Sequence, residues 1–183
     1  MTIISSLFLG NLGKYRILNI NVDFAEQAEG EIFQDIFGKG RFSQLTKKVL
    51  SNRFVNIATL GYLHVFIHEM GHAMAAKMLG DSSPEIIVYR KTCQGVVRYT
   101  DYFYGKKEIL VSIAGPCLAS CWETAKLTGS IGLAALFPSF LGITAASLLG
   151  SSALFWLFGE MAYLCSREGD WRFLRGSDSS NFV

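Results

Sequence analysis

The chain is 183 residues long, half of them hydrophobic and 17% charged, with a mean hydropathy of +0.30. A net charge of +2 is too small and too dispersed to argue for nucleic acid, and the apolar excess is high for a soluble domain. The length suits one domain, and four cysteines with no CxxC pair argue against a disulfide framework.

Residues 1–53 hold seven Lys/Arg and five Asp/Glu and read as an N-terminal polar segment. Residues 1–9 are apolar but lack a preceding basic stretch and a small-residue cleavage pattern, so the segment is expected to stay on the protein. Within it, 15–24 (YRILNINVDF) alternates as a short strand does, and 31–37 suits one or two helical turns. Lys47, Lys48 and Arg53 stand just before the first long apolar run, where basic side chains meet lipid headgroups.

Residues 54–79 predict a first membrane helix, ended by Gly80-Asp81 and Pro84. Inside it lies His68-Glu69-Met70-Gly71-His72. Two histidines four apart share a helix face, so both imidazoles can reach one divalent ion, and Glu69 is placed to take a proton from a metal-bound water. This is the H-E-x-x-H pattern of zinc peptidases. The structural alternative, two core histidines bonded to carbonyls, would leave Glu69 buried without a partner. His64 falls one turn earlier. The outer two histidines are about 12 Å apart along the axis, too far for all three to hold one ion, so His64 is expected to support the site, carry protons or face a wet cavity.

Residues 85–101 change character to two β-rich runs around Thr92-Cys93-Gln94-Gly95, which predicts a hairpin. Its exposed edge suits an extended substrate held by main-chain hydrogen bonds, with Gly95, Val96 and Val97 as the candidate binding residues. An ordinary structural hairpin is the alternative. The aromatic and basic stretch 102–107 suits a membrane interface and leads into a second span over 109–127, with Trp122 and Lys126 near one boundary. Ala114-Gly115-Pro116 lies within it and lets another backbone approach closely. Cys117 and Cys121 share a face of that helix and are expected to be small packing residues, with thiolate metal ligation as the alternative.

No charge occurs over 127–159. As one helix, 127–165 would be about 58 Å long, nearly twice a hydrocarbon core of roughly 30 Å. Two spans joined near Gly150-Ser151-Ser152 are therefore expected, with Pro138 kinking the first. Glu160, an ionisable residue inside the second, is a functional candidate. Asp170, where the last span ends, can turn back toward the metal. The fold class is thus a mainly α membrane protein, a polytopic bundle of about four transmembrane helices with a short β-hairpin after the first. With four spans both termini share a side, and ten Lys/Arg there against five in 80–107 favour that side as cytoplasmic.

In these motifs, taken over 54–174, the chain resembles the site-2 protease family of intramembrane zinc metalloproteases. The resemblance rests on the His68 to His72 motif within a membrane helix, then Gly95-Val96-Val97 in a hairpin, then Ala114-Gly115-Pro116. It implies a membrane-embedded metalloprotease core over 54–174, with 175–183 a polar C-terminal tail. It also implies Zn²⁺ as cofactor, His68, His72 and a late aspartate matching Asp170 as ligands, and Glu69 as general base. Glu160 is the alternative third ligand. The implied substrate is a transmembrane or membrane-proximal segment of another membrane protein. The chain differs from the family pattern in carrying Trp171 after the aspartate, Ala119 where an asparagine often follows the Gly-Pro pair, and no proline after Pro138. Two other classes stay open: a membrane protein of this fold that binds client helices without cutting them, and a metal-handling protein with His64, His68, His72 and Glu160 along a pathway.

Overall fold

A computed structural model describes residues 2–26, 48–49 and 52–167. Asp170, the 31–37 segment, Lys47 and the C-terminal tail lie outside the described residues.

The chain opens with a short helix α1 (Ile3–Leu9), closed by Gly10 in the left-handed region at φ 64°. Residues 15–24, expected as one strand, form two: β1 (Gly13–Ile17) and β2 (Ile20–Ala25). Leu18 and Asn19 both take positive φ, 50° and 61°, and this tight turn reverses the chain between them. After α2 (Arg53–Ala58) and α3 (Gly61–Met78) come β3 (Glu85–Tyr89) and β4 (Gln94–Arg98), the predicted hairpin. The sheet order is β1-β2-β3-β4, antiparallel except for β2 on β3, where Val22 pairs with Ile86 and Phe24 with Val88. The inward residues of β2 and β3 (Ile20, Val22, Phe24, Ile86, Val88) close over Tyr62, Val65, Phe66 and Met70 of α3. One face of the sheet is thus covered by the histidine helix.

The expected helix over 54–79 is broken. Leu60 takes φ 55° between α2 and α3, and the Thr59 carbonyl freed by the break accepts hydrogen bonds from Ser152 Oγ (2.7 Å) and Trp156 Nε1 (3.1 Å). Asn52 caps α2, its side-chain oxygen accepting from Phe54 N at 2.9 Å and Val55 N at 3.3 Å.

Two long helices follow, α4 (Lys106–Leu136) and α5 (Phe140–Arg167). The second span therefore runs on to Leu136, and the join lies at Pro138 rather than at 150–152. Proline lacks an N–H and disfavours helix at the residue before it, and Phe137 has φ −127°, ψ 72°. Gly150 instead lies within α5 where the helices approach closely, because an added Cβ would fall 2.9 Å from Ser130 Oγ.

Among the described residues, one helix, Phe140–Met161, is long and apolar enough to cross a membrane. Only 22% of it is buried within the protein, and Phe140, Leu141, Leu148, Phe158 and Met161 point outward. An apolar helix so little covered is unlike the core of a water-soluble fold and suits a hydrocarbon surround. Among the described residues three long helices, α3, α4 and α5, stand where four spans were expected, and α3 and α4 carry internal charges: Glu69 in the first, Glu123 and Lys126 in the second. Lys126, expected near a membrane boundary, is 5% exposed, inside the bundle. Cys117 and Cys121, expected to pack, are exposed on α4.

Candidate active site

Helix α3 sets His64, His68 and His72 one turn apart along the side that meets α4 and α5. His72 donates from Nδ1 to the Val111 carbonyl at 2.6 Å, and His68 donates from Nδ1 to Glu160 Oε1 at 2.8 Å. With both protons on Nδ1, both lone pairs sit on Nε2, and the two Nε2 atoms are 3.1 Å apart. Two lone pairs facing at that distance repel each other unless a proton or cation lies between them. Two imidazoles on one tetrahedral Zn²⁺, with Zn–N of about 2.0–2.1 Å, bring their nitrogens to roughly 3.3 Å. The donor chemistry and spacing of this pair therefore fit a zinc ion. Glu160 Oε2 is buried and has no hydrogen-bond partner among the described residues.

Glu160 does not stand as a third ligand in this arrangement. Its Oε1 binds His68 at Nδ1, the ring nitrogen that does not face His72, which is where a carboxylate orients a metal-binding histidine. Among the described residues no three His, Cys, Asp or Glu side chains gather as a metal-binding group. Asp170, the expected third ligand, is outside them.

Glycines make this packing possible. A Cβ on Gly71 would lie 2.4 Å from the Ala114 carbonyl oxygen, and one on Gly115 would lie 2.3 Å from His72 Nε2. The Ala114-Gly115-Pro116 step is thus where α3 and α4 touch, and it forms one wall beside the histidine pair.

Glu69 points to the sheet side of α3, below β4. A Cβ on Gly95 would fall 2.4 Å from Glu69 Cγ and 2.8 Å from Oε1. Gly95 and Val96 are half-buried, Val97 is buried, and β4 is an edge strand, so the structure brings the candidate binding strand to the carboxylate. The hairpin is tied down at its base by Asp81, which follows α3. Its carboxylate accepts from Ser83 N and Thr100 N, each at 2.9 Å, and from the Thr100 hydroxyl. Burial raises the Asp81 carboxyl, but these hydrogen bonds, the Thr100 hydroxyl foremost, outweigh it and hold the group below its ordinary range. In the hairpin turn, burial pushes the Cys93 thiol well up, so it is no nucleophile.

Behind the histidine pair lies a buried polar chain that the sequence pattern missed. His64 binds Glu123 Oε1 through Nδ1 at 2.8 Å and Glu160 Oε1 through Nε2 at 2.9 Å, with Trp156 stacked on its ring at 4.2 Å. Glu123 Oε2 is 2.7 Å from Lys126 Nζ, which donates to Ser152 Oγ at 3.1 Å. The signal for it was an i,i+3 pair of opposite charges inside an otherwise apolar helix.

Comparison with protein families finds a match over residues 47–164 to the model described as Peptidase M50B-like. Neither curated proteins nor solved structures give a match. The matched span covers well over half of the chain and contains the histidine pair, the hairpin, the Gly-Pro step and Glu160, and on that evidence the chain belongs to the site-2 protease (M50) family of peptidases.

Proposed function

We propose that the chain is a multi-pass intramembrane zinc metalloendopeptidase that cuts a transmembrane or membrane-proximal segment of another membrane protein. The observation that carries this reading is the pair of Nε2 atoms 3.1 Å apart on a helix whose next carboxylate, Glu69, lies under the edge strand. His68 and His72 would hold Zn²⁺, with Asp170 as third ligand. When bound, the ion supplies Lewis acidity, activating water and polarising the scissile carbonyl.

The rest of the chemistry falls to the chain's own groups. Glu69 takes the proton of the attacking water and passes it to the leaving amine. The free edge of β4 pairs with the substrate in extended form, which a helical segment must adopt before its peptide bond is accessible. Gly95 has no side chain, so that strand passes close over Glu69. The Nδ1 bonds to Val111 and Glu160 keep both ligand nitrogens turned inward.

The test is Glu69→Gln in proteoliposomes with a membrane-anchored reporter substrate. The variant is expected to keep zinc and substrate binding while losing cleavage by about three orders of magnitude or more, the upper range for general-base catalysis. Cleavage by Glu69→Gln at the wild-type rate would overturn the assignment, and reporter binding without cleavage in the wild type would favour a client-binding protein.

A further inference from the structure

Catalysis as drawn leaves His64, Glu123 and Lys126 without a task, although they are 3%, 0% and 5% exposed. Burying this many ionisable groups is costly unless each is paired, and each is. The chain runs from Lys126 to Glu123, to His64, to Glu160, and ends on His68 Nδ1, joining α4, α3 and α5.

The order of the links matters. Glu160 Oε1 receives two donors, His64 Nε2 and His68 Nδ1, so its position is fixed from two sides. Remove His64 and a long, flexible carboxylate is left with a single described hydrogen bond to hold its rotamer. His64 is in turn held at Nδ1 by Glu123 and across its face by Trp156, at 19° between ring planes. Lys126 balances the charge of Glu123.

We propose that His64 is a positioning residue: clamped between Glu123 and Glu160, it locks Glu160 against Nδ1 of His68 and so keeps Nε2 of His68 turned toward His72 for a divalent metal. This rests on the reading of His68 and His72 as metal ligands. It makes metal affinity depend on a side chain that touches neither the metal nor the substrate.

The test uses the full chain in detergent. Zn²⁺ affinity is measured by competition with a chromogenic chelator, and the ring-nitrogen spectra of metal-free protein, with three histidines in all, report the His68 tautomer. His64→Phe keeps the stack on Trp156 and loses both hydrogen bonds. It is expected to weaken zinc binding about 10- to 100-fold and to erode the Nδ1-protonated form of His68. His64→Gln, which keeps a donor toward Glu160, should recover part of the loss, and it carries the test if His64→Phe does not fold. Gly129→Ala, where an added Cβ meets nothing within 4 Å, should bind within about twofold of wild type, a spread well below the outer-shell effect. His64 variants with wild-type affinity and an unchanged His68 tautomer would overturn the positioning role alone. Absence of His68-dependent zinc in the wild type would overturn the metal reading and this inference with it.

Discussion

Gly115→Ala adds one methyl group to the wall beside His72. Its Cβ would lie 2.3, 2.5 and 2.6 Å from Nε2, Cδ2 and Cε1 of the ring, so an ordinary contact at 3.4 Å requires a shift of about 1 Å. The ring cannot yield freely, because Nδ1 is bonded to the Val111 carbonyl at 2.6 Å and Nε2 faces His68 at 3.1 Å. Overpacking costs about 1–3 kcal/mol and the strained hydrogen bond about 1 kcal/mol, while alanine regains about 1 kcal/mol of helix propensity. The net expectation is a loss of about 1–3 kcal/mol in stability. Moving a ligand itself should exceed the tenfold to hundredfold effect of an outer-shell change, giving at least a hundredfold loss of zinc affinity, about 2.7 kcal/mol. Gly129→Ala and Gly132→Ala on the same helix are the controls, since an added Cβ there meets nothing within 4 Å. They should leave zinc unchanged and stabilise by up to about 1 kcal/mol. Zinc retained per chain after dialysis and the thermal midpoint in detergent read both effects. Wild-type zinc retention in Gly115→Ala would refute the placement of the His72 ring against α4.

Gly95→Ala pushes β4 or the Glu69 side chain aside by about 1 Å and should reduce cleavage about a hundredfold while zinc content stays at the wild-type level. Lys126→Met removes the lysine partner of the buried Glu123 carboxylate, leaving His64 to hold it alone, and should cost about 3–5 kcal/mol, much of it regained in the Lys126→Met, Glu123→Gln double variant. Denaturation of wild type, Lys126→Met, Glu123→Gln and the double variant in the same detergent checks this, and additive losses would refute the pairing. Asp81→Asn weakens the clasp on Thr100 and Ser83 and should cost about 2 kcal/mol at neutral pH. Because the folded carboxyl titrates below its unfolded value, its contribution is complete above pH about 4 and is lost as the pH falls through the folded value. Midpoints measured from pH about 7 down to about 3 should therefore show the gap between wild type and variant narrowing below pH about 4, and a constant gap would contradict the assignment.

What the sequence disclosed and what it withheld divide along sequence distance. The histidine pair and Glu69 lie within five residues of one another, and the 85–98 hairpin carries its own turn, so local spacing sufficed for both. The break at Leu60 and the turn at Leu18-Asn19 escaped because neither carries the glycine that positive φ usually requires. Gly150 suggested a join and proved to be a close contact, whereas Pro138 read as a kink and proved to be the join. The partners of His64 and His68 lie 59, 96 and 92 residues away, and no periodicity links such positions before the helices are packed.

The N-terminal hairpin also bears on the site. In the sequence, 1–53 reads as a polar segment apart from the core, yet β2 runs parallel to β3 through five paired positions. A two-stranded β3-β4 hairpin would expose an edge on each side and be marginal by itself. With β2 on β3 and β1 beyond it, the sheet has two edges among the described residues, β1 and β4, and of these β4 is the one seated over Glu69. An extended peptide that pairs with β4 therefore lies next to the carboxylate, while the edge at β1 lies three strands away. On this reading the added strands do more than thicken the sheet: they leave a single docking edge beside the candidate catalytic group.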